Sequence, residues 1–190
     1  IRPERPTVQP LKFNRDREGH VRVYASMPIP SEAASVRLDL ARKALAAEWE
    51  KADPATPYEI VQFYRTSTAL AEDIEAWHQT AGRQAWTTAI VRVATQLGAT
   101  SALDIGCGAG HDLRALRDAG VVDLLGVEPN DILRQKVRDM GMLCLKNVES
   151  GPLGAYDLAI CIDVLEHLPD PEGFLGEVLS RMRDDATFIE

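Results

Sequence analysis

Three glycines at alternate positions, Gly106, Gly108 and Gly110, follow a short apolar run, and an acid, Asp104, stands two residues before the first of them. Glycine permits a tight turn and lets the backbone come close to a bound group. A carboxylate at this place would repel a pyrophosphate and favours a cationic ligand, one bearing an ammonium or a sulfonium. The spacing also departs from the G-x-G-x-x-G of a dinucleotide turn, because the third glycine comes one residue early and His111 takes its place. No Gly-Lys-Ser/Thr follows, which excludes a phosphate P-loop. A second acid, Glu128, ends the next apolar run and can accept hydrogen bonds from ribose hydroxyls. Nicotinamide and other nucleoside sites share that carboxylate, so Glu128 does not discriminate between them. Asp104 and the early Gly110 do.

These residues need a frame. From residue 101 short apolar runs alternate with helical patterns: strands at 102–105, 123–127, 142–145 and 156–162, helices at 111–119, 130–140 and 170–182, and a fifth strand from 187. Strands apolar on both faces, alternating with helices, predict an α/β fold with a doubly wound parallel sheet. In such sheets ligands bind beyond the carboxyl ends of the strands, near the switch in strand order. The glycine loop occupies such an end. Upstream, 31–51 reads as a helix. Thr56-Pro57-Tyr58-Glu59 offers a capping box for a second helical stretch reaching Leu97, broken near 66–68 and near Gly82. Leu11–Phe13 and Val21–Tyr24 can pair as a hairpin. The division is therefore an N-terminal extension over 1–55 and a cofactor-binding domain over 56–190.

The chain has 190 residues, a formal net charge of −8 and a pI near 5.1, with 45% hydrophobic and 26% charged residues. The acidic balance disfavours nucleic acid and anionic membrane as partners. A locally basic N-terminal end (Arg2, Arg5, Lys12, Arg15, Arg17, Arg22) reads as a solvated face. No apolar run approaches membrane-spanning length. Cys107, Cys144 and Cys161 lie in apolar stretches without a CxxC pair, which points to reduced, buried thiols in a cytoplasmic protein and to no structural metal. The chain starts at Ile1 and stops soon after a strand begins, so a longer parent protein is expected.

The segments ALDIGCGAG, LLGVEPN and YDLAICIDVLEHLPDP resemble, in order and separation, three successive motifs of the class I S-adenosylmethionine-dependent methyltransferases. The nearest flavour is the group containing the ubiquinone-biosynthesis O- and C-methyltransferases. The resemblance covers about residues 80–190. It implies a Rossmann-like fold with S-adenosylmethionine as cofactor, and a sheet whose last strands lie beyond Glu190. By position, Gly106, Cys107, Gly108 and Gly110 would line the methionine and sugar, and Asp104 would orient the ammonium. Glu128 would hold the ribose and Pro129 would pack near the adenine. Asn147 and Val148 fall where an acid often meets the adenine amino group; Glu149 is the alternative. Ile162 and Asp163 would lie beside the sulfur. Arg83 would meet the methionine carboxylate.

For the chemistry, His167 is the candidate base, with a loop-fixing role as its alternative. Asp163, Glu166 and His167 together resemble the divalent-ion set of some relatives, although the same pattern also serves as metal-free helix capping. Tyr64, Trp77, His78 and Trp86 are further pocket candidates on the preceding helices. The resemblance implies methyl transfer to an O, N or C acceptor, most simply a small molecule, and the N-terminal helices could pair two copies of the chain. A non-catalytic binding module and a nicotinamide-dependent oxidoreductase are the competing readings.

Overall fold

The computed structural model describes residues 12–15, 21–24 and 32–190. Strands β1 (Lys12–Arg15) and β2 (Val21–Tyr24) pair antiparallel, with Phe13 opposite Val23. Leu11 and the remainder of the basic N-terminal end lie outside the described residues. Helix α1 spans Glu32–Ala52.

The capping box is as the sequence requires. Thr56 Oγ1 accepts from Glu59 N, the Glu59 carboxylate accepts from Thr56 N at 3.0 Å, and Pro57 opens α2 (Pro57–Thr66). Ser67 ends α2 and caps α3 (Thr68–His78), its hydroxyl accepting from Leu70 N. The next break, expected near Gly82, falls at Gln79–Thr80. Thr80 accepts from Arg83 N and so starts α4 (Ala81–Leu97), which leaves Gly82 buried inside the first turn. A side chain that satisfies an orphan N–H fixes a helix start more firmly than a nearby glycine can break one.

Strands β3 (Ser101–Ile105), β4 (Asp123–Val127), β5 (Leu143–Leu145), β6 (Tyr156–Cys161) and β7 (Met182–Ile189) form one sheet in the order β5-β4-β3-β6-β7, with every neighbouring pair parallel. Helices α5 (His111–Asp118), α6 (Asp131–Asp139) and α7 (Pro171–Arg181) connect them. β7 starts five residues earlier than expected, with Met182 opposite Tyr156 and a register shift before Leu158 meets Thr187. The run Arg183-Asp184-Asp185 hides this part of the strand from an apolar reading.

Side chains alternate across β3. Leu103 and Ile105 join Leu125, Val127, Ala159 and Val178 in one core, while Ala102 joins Ile90, Leu116 and Leu158 in the other. Asp104 shares the second face, the one covered by α4 and α5. The chain moves outward through β4 and β5, then returns to the other side of β3 as β6. The loop after β3 therefore stands at the switch point, where such sheets bind ligands.

Candidate functional site

The loop Gly106–Gly110 is built on backbone that only glycine adopts easily: φ is +68° at Gly106, +53° at Gly108 and +76° at Gly110. Its first amides are anchored, Gly106 N donating to Val127 O at 2.8 Å and Cys107 N to the same oxygen at 3.2 Å. All three glycines also stand where space is short, a Cβ on Gly110 lying 3.0 Å from Met140 Cε. A Cβ on Gly106 would run into Val164 Cγ2, and one on Gly108 would lie 3.1 Å from Ile74 Cγ2 and 3.2 Å from His78 Cε1. The turn after β6 and the end of α3 thus close over the loop from two sides.

Glu128 leaves β4 and is buried. Its carboxylate accepts from Gly108 N at 2.9 Å and from Asn130 N at 2.7 Å. Burial pushes its pKa up, and these two bonds and Arg134 oppose the shift. Asp104 is 3% exposed, and its Oδ2 has no protein partner. Burial, then the charge of Asp112, drive its pKa well above the usual carboxylate range, against the pull of Arg83. A buried carboxylate oxygen left without a donor is a costly arrangement. A cationic ligand above the loop would relieve it.

Arg83 is buried and ion-paired with Asp112, which also accepts from Thr87 Oγ1. Its guanidinium lies 5.1 Å over the Trp77 ring, and Nε is without a partner. The group expected to meet a ligand carboxylate is therefore committed at two nitrogens to an acid of its own chain. His78 stacks on His111 at 4.8 Å and 17°. Burial and the Arg83 charge bring the His78 pKa down to about 4, and burial also lowers His111. Both shifts favour the neutral rings, between which there is no charge repulsion.

The other expected residues lie around this centre. Pro129 O accepts from Arg134 Nη1. Asn147 is exposed and its Oδ1 accepts from Ser150 Oγ, while Val148 is buried in the core with Leu125 and Val178. Cys107 is buried beneath the loop. Ile162 is half-buried and Asp163, at φ +53°, is exposed. The Asp163 carboxyl is pushed up by partial burial and by Glu166, with Arg83 and His167 opposing. His167 is exposed on the single turn Leu165–His167. Among the described residues, no three His, Cys, Asp or Glu side chains group as a metal site.

Asn130 was not singled out from sequence beyond opening a helix. It is 1% exposed, and its Oδ1 accepts from Ile132 N and Leu133 N, capping α6. Its Nδ2 donates to Tyr64 O at 2.8 Å and Ser67 O at 3.2 Å. One side chain thus ties the α2–α3 junction to the strand end that carries Glu128. Replacing Asn130 with Ala removes a cap, worth about 0.5–2 kcal/mol, and strands buried carbonyls at about 1–3 kcal/mol. Urea unfolding of Asn130→Ala should show a loss of about 2–4 kcal/mol, near the sum of those two costs. Asn130→Ser keeps the cap and should lose about half as much.

A parallel sheet with its ligand loop at the switch point, an unpartnered acid beneath that loop and a second acid on the neighbouring strand define the Rossmann-like class I S-adenosylmethionine-dependent methyltransferase architecture. The chain belongs to the methyltransferase domain family, whose model matches residues 76–189. It is 31% identical over 91 residues to the ubiquinone biosynthesis O-methyltransferase of Methylococcus capsulatus, a match covering 43% of this chain and 38% of that protein. It is 29% identical over 98 residues to the tRNA U34 carboxymethyltransferase of Pseudoalteromonas translucida, covering 46% and 30%. The chain therefore spans well under half the length of these curated relatives. Among solved structures, a Methanococcus maripaludis protein provisionally described as an S-adenosyl-L-methionine-dependent methyltransferase matches the fold with a TM-score of 0.53 at 14% identity, over 63% of this chain and 60% of that one. No helix among the described residues is long and apolar enough to cross a membrane.

Proposed function

We propose that this chain carries the cofactor-binding part of an enzyme that moves a methyl group from S-adenosylmethionine to an acceptor, a small molecule in the simplest case. The observation that carries the reading is the unpartnered Asp104 Oδ2 beneath three left-handed glycines at the switch point. The residues fit the cofactor. Asp104 answers its ammonium, the Gly106–Gly110 backbone admits its methionine and sugar at close range, and Glu128 accepts from its ribose hydroxyls. Pro129 and Asn147 flank the adenine side, Val148 backing Asn147 from the core, and Ile162 and Asp163 the reacting end. Bound there, the cofactor supplies a methyl group already activated by a cationic sulfur. What remains for the protein is to bring an acceptor into line and to exclude water. The closure of Val164, Ile74 and His78 over the loop serves exclusion. For an oxygen or carbon acceptor His167, exposed at the rim, is the base this reading assigns. Residues 56–190 form the cofactor unit in this reading, with 1–55 as an extension.

The test is calorimetric titration with S-adenosylhomocysteine, with NAD as the competing ligand. Hydrogen bonds to a charged group are worth about 1.5–3 kcal/mol, so Glu128→Gln should bind roughly 10–100-fold more weakly. Tight NAD binding, or an unchanged affinity in a folded Glu128→Gln protein, would sink the assignment.

A further inference from the structure

Two thiols that methyl transfer does not use lie directly under the glycine loop. Cys107 sits between Gly106 and Gly108, and Cys144 lies on β5. Their sulfurs are 3.7 Å apart although 37 residues separate them. Both are buried. The space they share is made by a missing side chain, since a Cβ on Gly126 of β4 would stand 2.7 Å from Cys107 Sγ and 3.1 Å from Cys144 Sγ. A disulfide needs sulfurs about 2.05 Å apart, so closing the gap requires a movement of roughly 1.7 Å. Cys144 is held in the sheet opposite Gly126, so the movement falls on the Cys107 side chain and the loop that carries it. The proton shared between the sulfurs lowers the Cys144 thiol, and Arg134 and Arg138 act in the same direction. The bond to Cys144, and then burial, raise Cys107. The third thiol, Cys161, is pushed up to about 12 by burial and by neighbouring acids, Asp104 first.

We propose that Cys107 and Cys144 form an oxidation site, at which a peroxide joins them in a disulfide that displaces the glycine loop and weakens cofactor binding. Cys144 sulfur attacks one peroxide oxygen and the O–O bond breaks. The leaving hydroxide takes a thiol proton and departs as water, leaving Cys144 as a sulfenic acid. The Cys107 thiol then attacks that sulfur as it gives up its proton, the S–O bond breaks, and the hydroxide leaves with that proton as a second water. Two thiols lose two electrons and the peroxide gains them. The cost to binding follows from the loop amides: Gly106 and Cys107 are tied to Val127 O and Gly108 to Glu128, so moving Cys107 disturbs every contact that shapes the loop. This effect on binding rests on the function proposed above; the disulfide does not.

The reduced chain is treated with hydrogen peroxide, with and without S-adenosylhomocysteine, then alkylated after denaturation and measured by intact mass and peptide mapping. Reactive thiols should fall from three to one, with a cross-linked peptide pair containing Cys107 and Cys144. Dithiothreitol should reverse the change, and Cys144→Ser should form no such link. S-adenosylhomocysteine should slow the reaction by covering the loop, and the oxidised protein should bind it at least tenfold more weakly. Three thiols surviving in the folded chain, a link to Cys161, or irreversible oxidation of Cys107 alone would overturn the site. A verified disulfide with unchanged affinity would overturn its effect on binding. If the reduced chain binds no S-adenosylhomocysteine, the functional proposal fails while the thiol count still decides the oxidation site.

Discussion

Asp104→Asn should raise the melting temperature of this protein and, in the same step, weaken its hold on S-adenosylhomocysteine. The two effects have one source. Asp104 is buried with an oxygen that no donor reaches, beside the acids Asp112 and Glu128. An uncompensated buried polar group costs about 1–3 kcal/mol, and more when charged. Asparagine has nearly the same shape, carries no charge, and brings two donors toward those acids. At this chain length each kcal/mol moves the melting temperature by roughly 2–4 °C, so a rise of about 3–8 °C is expected. Binding should fall about 10–100-fold, the value of a hydrogen bond to a charged group.

The pH dependence carries its own sign. The folded pKa of Asp104 lies above its unfolded value of 3.8, so across that interval the folded chain holds the proton that the unfolded chain releases. Stability contributed there is full below 3.8 and is lost as pH rises through the folded value. The variant should lack this part of the slope. His78 works in the opposite sense. Its pKa falls from 6.5 to about 4 on folding, so its contribution is lost as pH drops between those values. Denaturant unfolding from pH 4 to 8 separates the two. A variant less stable than the parent at pH 7 would show that Asp104 holds the fold together rather than waiting for a ligand.

Gly106→Ala should cost both stability and affinity, and a second substitution should separate them. The left-handed φ alone costs a residue with a Cβ about 1–2 kcal/mol, and the new methyl group meets Val164 Cγ2. Val164→Ala in the same chain removes the collision but not the backbone strain. The double variant should regain part of the lost stability. Its affinity for S-adenosylhomocysteine should stay about 100-fold below the parent, a deficit of roughly 2.7 kcal/mol, because the Cβ still strains the left-handed backbone on which the loop is built. Affinity recovering with stability would mean that the glycine serves the turn alone.

The sheet was largely legible in the sequence. Strands apolar on both faces, and helices stopped by glycine, gave β4 at its observed bounds and most other elements to within a residue. The Thr56 box was legible for the same reason, being a contact within four residues. The break near Gly82 was legible in place though its cause, the cap at Thr80, was not, and the polar run 183–185 concealed the start of β7. The site divides in the same way. Asp104, the glycines and Glu128 announce themselves by type and spacing. The Arg83–Asp112 pair spans 29 residues, and Asn130 reaches 66 residues back to Tyr64. Such partnerships exist only once the sheet has brought the helices together.

Ser67 ends one helix and begins the next, with φ −65° and ψ 122°. The φ is already that of a helix, so a turn of roughly 160° about one bond, to ψ near −42°, would fuse Pro57–His78 into a single rod. The direction of α3 is therefore set at one residue, and the Asn130 amide holds that residue's carbonyl against the strand end that bears Glu128. The placing of His78 over the glycine loop, eleven residues further on, is decided there.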